Sequence, residues 1–211
     1  MDSVSGPIPE HWELIRASDA LEVNPKIAYD QRTARAFVPM TSVSDATMHV
    51  APREIRVTAS GSRFENGDTL FARITPCLEN GKTAFVQCLG RGDVASGSTE
   101  FIVLRGRRVT PEFVYLLARS NAFRDHAIKS MSGATGRQRV RETCFDDYLV
   151  PVPVNTLLRG FSQLVGPMFT LSYKLFRENE NLRATRDLLL PGLISGEIDV
   201  DDLNIEIPDA A

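Results

Sequence analysis

The sequence predicts a mixed α/β (α+β) domain followed by one long coiled-coil-forming α-helix. Short segments rich in β-branched and aromatic residues recur over the first 104 residues, and each is bounded by Gly, Pro, Asn or Ser. After residue 155, apolar residues recur at heptad spacing. The 211 residues suffice for a domain of about 150 residues with its own core and for such an appendage.

Five segments have the composition of strands: 36–40, 54–59, 69–74, 83–87 and 100–104. One helix is expected at 111–130, because Thr110 is a suitable N-cap and Pro111 suits the first helical position. The following segment, SGATGRQR at 132–139, contains two glycines and two small hydroxyl residues, which predicts a loop.

The segment YLVPVPVN at 148–155 marks the expected domain boundary, because its prolines stop a preceding helix and favour extended backbone. Three regions are therefore expected: a domain at 1–154, a long helix at 155–192, and a short strand-like and acidic segment at 193–211.

The long helix, which Asn155 or Thr156 can cap, has apolar residues separated by three, four and then seven positions. They are Leu157, Phe161, Leu164, Met168, Leu171, Leu175, Leu182 and Leu189. A single surface helix would need a wider apolar stripe, so this pattern predicts a partner helix. Over 156–190 the helix would extend about 50 Å, more than the diameter of a small domain. Gly166 and Pro167 are expected to kink it, and 190–192 to end or break it.

Composition excludes several classes of protein. The chain has no apolar run long enough for a membrane span and no basic-then-apolar start typical of a secretion signal, so a cytoplasmic location is expected. The three cysteines and three histidines are scattered, which favours structural roles and no metal site.

The formal net charge is −3, but the charge is unevenly distributed. Residues 105–141 carry nine basic and two acidic residues, 9 − 2 = +7, whereas 151–211 carry five basic and nine acidic residues, 5 − 9 = −4. The basic stretch is a candidate phosphate-binding face, with an ordinary solvated surface as the alternative.

No catalytic motif is evident. Asp68, Glu79 and Lys82 have the residue types of a metal-dependent nuclease, but Glu79 and Lys82 fall together in a turn-forming stretch. The chain lacks both glycine-rich nucleotide-binding motifs, and Asn24-Pro25-Lys26 does not fit the motif with which adenine methyltransferases hold a flipped base. Any methylation must therefore be carried out by another chain.

The loop SGATGRQRV at 132–140 has features of a DNA contact. Gly133 and Gly136 allow close approach of the backbone, while Arg137, Gln138 and Arg139 offer donors for phosphate oxygens or purine edges. An exposed polar turn is the alternative interpretation.

Several segments, in order, resemble the specificity subunit of type I restriction-modification systems. They are IPEHWELIRASDAL (8–21), GDTLFARITPCLENGKTAFV (67–86), ASGSTEFIVLR (95–105), SGATGRQRV (132–140), LVPVPV (149–154) and LRATRDLLLPGLISGEIDV (182–200). The resemblance implies a DNA-reading target-recognition domain at 1–154 and a conserved helix for dimerisation and subunit docking.

Full-length members of that family carry two such domains and two antiparallel helices, whereas this sequence has one of each and no internal repeat. The resemblance therefore implies a half-sized, non-catalytic subunit that forms a homodimer through 156–190 and reads a split palindromic site in double-stranded DNA. It also implies docking of adenine methyltransferase (modification) subunits, which bind S-adenosylmethionine, and of a restriction subunit where one is present; this chain itself needs no cofactor.

The candidate DNA-binding residues lie in and around the loop. They are Ser132, Thr135, Arg137, Gln138 and Arg139 in the loop, Arg124 and Lys129 toward phosphates, and Arg73 and Lys82 as second choices. Two alternatives stay open: a coiled-coil protein-interaction adaptor that does not bind DNA, and a targeting domain of a fused methyltransferase or nuclease.

Overall fold

The computed structural model describes residues 2–3, 6–28, 30, 32–52, 54–57, 60–134 and 136–200. The chain divides into two units, Met1–Phe169 and Thr170–Ala211. The strands in the described ranges are Asp2–Ser3 (β1), Gly6–Pro7 (β2), Glu13–Arg16 (β3), Leu21–Val23 (β4), Arg35–Val38 (β5), Glu54–Arg56 (β6), Ser62–Phe64 (β7), Thr69–Ala72 (β8), Thr83–Phe85 (β9), Ala95–Gly97 (β10), Phe101–Gly106 (β11) and Leu149–Val152 (β12). The helices are Ala17–Ala20 (α1), Pro111–Arg119 (α2), Asn121–Lys129 (α3), Cys144–Asp147 (α4) and Asn155–Ser195 (α5).

The expected mixed fold is confirmed, and each of the five predicted strand segments overlaps a strand. Several short strands were not predicted from the sequence, and β10 shows why. Its residues, Ala-Ser-Gly, have little strand propensity, yet all three are buried. It pairs in parallel with β5 and antiparallel with β7 inside the sheet β6-β5-β10-β7.

A second antiparallel sheet, in the order β4-β11-β8-β9, positions the candidate site. In its register Phe101 lies opposite Ala72, and Leu104 lies opposite Thr69. The end of β8 and the beginning of β11 therefore share one edge of the sheet, while Arg107 follows β11 at the opposite edge. Buried residues on both sides form two clusters around this sheet, which makes it a rigid support.

The helix expected at 111–130 is two helices, α2 and α3, separated by Ser120. Ser120 has extended backbone angles, and its Oγ accepts a hydrogen bond from Phe123 N at 3.3 Å, which caps α3. The prediction of a single helix was therefore wrong. Pro111 begins α2 as expected, but Thr110 makes no side-chain cap bond.

Helix α5 begins at Asn155 as predicted, contains Gly166 and Pro167, and continues past 190–192 to Ser195. Its first part packs within the first unit. Phe169 is buried against Phe85 and Tyr115, with ring centroids 5.1 and 5.7 Å apart. The first unit extends to Phe169, and the domain bounds expected at 1–154, 155–192 and 193–211 stay predictions. The kink expected at Gly166 stays a prediction, and most of the predicted strand-like tail lies outside the described residues.

Candidate nucleic-acid interface

The loop predicted at 132–139 is a short antiparallel hairpin. Ser132 and Arg139 face each other and exchange two backbone hydrogen bonds, of 3.1 and 3.0 Å. Gly133 and Gly136 have φ angles of +124° and +80°, a backbone region that L side chains rarely adopt. Arg137 is exposed near the tip and Gln138 is half-buried, whereas the candidate Thr135 lies outside the described residues.

The hairpin 132–139 lies against the turn 73–82, so two segments singled out in the sequence are neighbours. Thr75 N donates to Gln138 O at 3.1 Å, and Val140 N donates to Arg73 O at 2.8 Å. Ile74 also forms an isolated β-bridge with Arg139. Because the turn connects β8 to β9, both segments lie at the same edge of the sheet.

Three cations surround the other end of the turn. Arg119 Nη1 donates to Gly81 O at 2.7 Å and to Asp45 O at 3.2 Å, and Lys82 Nζ donates to Met40 O at 3.2 Å. Arg124 lies beside Gly81 and donates to Asn121 Oδ1 at 3.0 Å. These acceptors are neutral oxygens, which orient the cations without cancelling their charge. Lys82 and Arg124 are among the candidates from the sequence, whereas Arg119 was counted there only as one of the nine basic residues of 105–141.

Among the described residues, carboxylates pair with three arginines of the basic stretch and also with Arg73, which lies outside it. Arg139 contacts Glu100 with nitrogen–oxygen distances of 2.6 to 3.0 Å, and Arg73 Nη1 lies 3.2 Å from Glu142 Oε1. Arg105 pairs with Asp68 and Glu65, and Arg108 pairs with Glu13. The pairs of Arg139, Arg105 and Arg108 reduce the surface charge that the sequence count of +7 for 105–141 suggested.

Arg137, Lys129 and Arg141 differ from those arginines, because no carboxylate pairs with them among the residues that the structure describes. All three are exposed. Arg141 Nε donates to Ser132 Oγ at 2.9 Å, which fixes the candidate Ser132 at the base of the hairpin.

Along α5, seven of the eight heptad residues are exposed. The exposed fractions are 53% for Leu157, 65% for Leu164, 57% for Met168, 57% for Leu171, 49% for Leu175, 67% for Leu182 and 42% for Leu189. Phe161 differs: it is half-buried, and its ring centroid lies 6.3 Å from that of Phe113 in the same chain. The interface role predicted for these eight residues stays a prediction.

The described ranges contain no group of three or more His, Cys, Asp or Glu side chains that could hold a metal ion. None of their helices combines the length and apolar character that crossing a bilayer requires.

No protein-family model matches the sequence. Two curated proteins that resemble it are both specificity subunits of type I restriction enzymes. The specificity subunit of the Escherichia coli type I restriction enzyme EcoEI is 33% identical over 169 residues, which are 75% of this chain and 28% of that subunit. The EcoAI specificity subunit of Escherichia coli is 30% identical over 153 residues, 69% of this chain and 26% of that subunit. The chain thus spans about a quarter of the length of these relatives.

Solved structures share the fold. The HsdS subunit from Thermoanaerobacter tengcongensis has a TM-score of 0.59 and 18% identity, over 99% of this chain and 54% of that one. A chain from a structure addressing complex assembly and conformational transition of a type I R-M system has a TM-score of 0.61 and 20% identity, over 96% of this chain and 53% of that one. In sequence and in fold, this protein is therefore related to the specificity subunits of type I restriction-modification systems.

Proposed function

We propose that this chain is the non-catalytic, sequence-specific DNA-binding subunit of a type I restriction-modification system. The observation that carries the proposal is the hairpin 132–139, whose exposed tip presents Arg137 with no carboxylate partner among the described residues. Arginine and glutamine side chains are suited to bidentate contacts with guanine and adenine in the major groove. Arg137 and Gln138 are accordingly the proposed base-reading residues.

The proposed phosphate contacts are Lys82, Arg119 and Arg124 beside the turn, together with Lys129 at the end of α3. The first three donate to neutral oxygens, so their positive charge is available to the DNA backbone. Such contacts fix the position of a protein on the duplex, while contacts to base edges select the sequence.

We further propose that two copies associate through α5 and read a split palindromic site. The exposed heptad residues on α5 support this proposal, because seven large apolar side chains in register are costly to leave in water. The chain also covers only about half of each solved relative, 53% and 54%. A two-fold dimer would read identical half-sites in opposite orientation.

In this proposal the dimer positions modification subunits that methylate adenine with S-adenosylmethionine, and a restriction subunit joins where the system has one. The relation to the specificity subunits supports these partners. The cofactor would belong to the modification subunit and not to this chain.

Selection from a random duplex library tests the proposal directly. The full-length chain is incubated with duplexes that carry a randomised centre, and the retained DNA is sequenced over repeated rounds. We expect enrichment of one interrupted motif. Retention without enrichment of any sequence, at every salt concentration, would contradict sequence-specific binding, and no retention at all would favour the protein-interaction adaptor.

A further inference from the structure

The contact between Arg139 and Glu100 joins the hairpin to the sheet. Arg139 Nε lies 3.0 and 2.9 Å from the two carboxylate oxygens of Glu100, and Nη2 lies 2.6 Å from Oε1. This is a bidentate pair, the geometry in which arginine and carboxylate interact most strongly. The adjacent Arg139 guanidinium also keeps the pKa of Glu100 below its ordinary value, so the pair is charged at neutral pH.

Glu100 is held firmly by its own neighbours. Its backbone N–H donates to Ser98 Oγ at 3.2 Å, and its carbonyl accepts from Arg73 N at 3.0 Å. Its side chain is 23% exposed, and the next residue begins β11, whose first four residues are buried. The carboxylate therefore provides a fixed point on the rigid part of the domain.

A second contact secures the same part of the hairpin. Arg73 Nη2 donates to Val140 O at 2.9 Å, and Arg73 Nη1 lies 3.2 Å from Glu142 Oε1. Arg73 and Arg139 are thus each paired with a carboxylate within the chain. Arg137, at the tip between these contacts, has no such carboxylate partner among the described residues.

We propose that Glu100 is a positioning residue, and that Glu100 and Arg139 together form a clasp that holds the hairpin 132–139 ready to read DNA. The inference rests on the proposed function and changes one expectation from the sequence: Arg139 positions the hairpin and does not contact a base. A hairpin fixed before binding loses less conformational entropy when DNA binds, which favours both affinity and discrimination.

The clasp itself is tested without DNA, by hydrogen exchange of the full-length chain. The backbone N–H groups of Ser132, Arg137 and Arg139 donate to hairpin carbonyls and report on its opening. We expect Glu100→Ala to accelerate their exchange about tenfold or more, with exchange in β11 unchanged, and Glu100→Gln to have a smaller effect. Glu13→Ala is the matched control, because it removes a similar pair with Arg108 elsewhere. Unchanged hairpin exchange in both Glu100 variants would overturn the clasp.

A double-mutant cycle then tests the positioning role, with anisotropy on the duplex enriched by the selection and on a scrambled duplex. Glu100→Ala, Arg139→Ala and the double variant should each weaken binding to the enriched duplex by a similar factor, about tenfold, because each removes the same interaction. Binding to the scrambled duplex and its salt dependence should change little.

Three results would overturn the positioning role. The first is a much larger loss with Arg139→Ala than with Glu100→Ala, which would identify Arg139 as a direct DNA contact. The second is a loss of affinity in the double variant that equals the product of the two single losses, as for independent residues. The third is an equal loss on both duplexes. A library selection without enrichment would instead contradict the proposed function. Hydrogen exchange would still show whether the Glu100–Arg139 pair holds the hairpin.

Discussion

At the scale of single residues, charge alone does not distinguish the side chains that face a ligand from those that hold the fold. Arg139 and Arg137 are two positions apart, both basic and both exposed, yet Arg139 is paired with Glu100. The chemistry of a residue and the place of its partner together decide its role. Arg137 is consequently the better candidate for reading bases, with Gln138 beside it.

We expect the combined substitution Arg137→Ala and Gln138→Ala to abolish most of the preference for the enriched duplex. A bidentate base contact is worth about 1 to 3 kcal/mol, so removal of both side chains should weaken specific binding by tenfold or more. Fluorescence anisotropy measures the effect. Arg107→Ala, an exposed arginine at the opposite edge of the sheet, is the control. If specific binding survives the double substitution, this hairpin does not read the sequence.

A different signature is expected for the proposed phosphate contacts. Arg124→Gln and Lys129→Gln should weaken binding to all duplexes equally, because phosphates carry no sequence information. Each should also reduce the slope of log affinity against log salt concentration by about 0.9. Titrations at several salt concentrations measure both quantities. A loss confined to one sequence would show that these residues contact bases.

The sequence identified the segments of the site but not the roles within them. The glycines and polar residues at 132–139 predicted a loop, and the structure places that loop beside the turn 73–82. The partners of Arg139 and Arg73 are 39 and 69 residues away in the chain. A contact at such distance depends on how the sheet is assembled, and no local pattern encodes it.

At the scale of elements, local signals predicted those helices and strands that local interactions largely determine. The strand in 100–104 has the expected β-branched and aromatic residues, and it is present as β11. In contrast, β10 is a strand because β5 and β7 pair with it on both sides, and its Ala-Ser-Gly composition gives no hint of this. The break between α2 and α3 at Ser120 could not be predicted from the sequence either, because serine is tolerated within helices.

The beginning of α5 stabilises the domain, and Phe169→Ala should measure how much. Phe169 is 8% exposed and forms edge-to-face contacts with Phe85 and Tyr115. Truncating such a buried ring typically lowers the free energy of unfolding by about 3 to 5 kcal/mol. Urea denaturation measures the loss. Gln163→Ala, an exposed position of the same helix, should change the stability by less than about 0.5 kcal/mol. Similar values for the two variants would contradict the packing of Phe169.

The exposed heptad residues of α5 should mediate self-association. Leu164 and Leu171 are 65% and 57% exposed, so Leu164→Glu with Leu171→Glu should disturb the isolated chain little while placing charges in a helix–helix seam. In sedimentation equilibrium we expect dimers of the wild-type chain and monomers of this variant. Gln163→Glu with Arg177→Glu changes two exposed positions on the helix face away from the seam and should leave the dimer intact. A dimer that survives the leucine substitutions would place the interface elsewhere.

At the scale of the whole molecule, the described residues include one hairpin of the proposed reading type and one long helix, while the solved relatives that share the fold are about twice as long. Closed two-fold association is the commonest way for a single chain to present two equivalent surfaces. Under the proposed function, a dimer of this chain would therefore hold two identical reading hairpins at a separation set by α5. The symmetry of the protein would then determine the symmetry of the DNA site.

The spacing of the enriched motif tests this arrangement. We expect two inverted half-sites separated by a spacer of fixed length and variable sequence. Inserting one base pair into the spacer shifts one half-site by about 3.4 Å and rotates it by about 34 to 36°, which a rigid pair of helices cannot follow. Competition anisotropy should show a large loss of affinity for the insertion and little change for base substitutions within the spacer. Equal affinity for both duplexes would mean that α5 does not fix the distance between the two half-sites, and that the two hairpins bind independently.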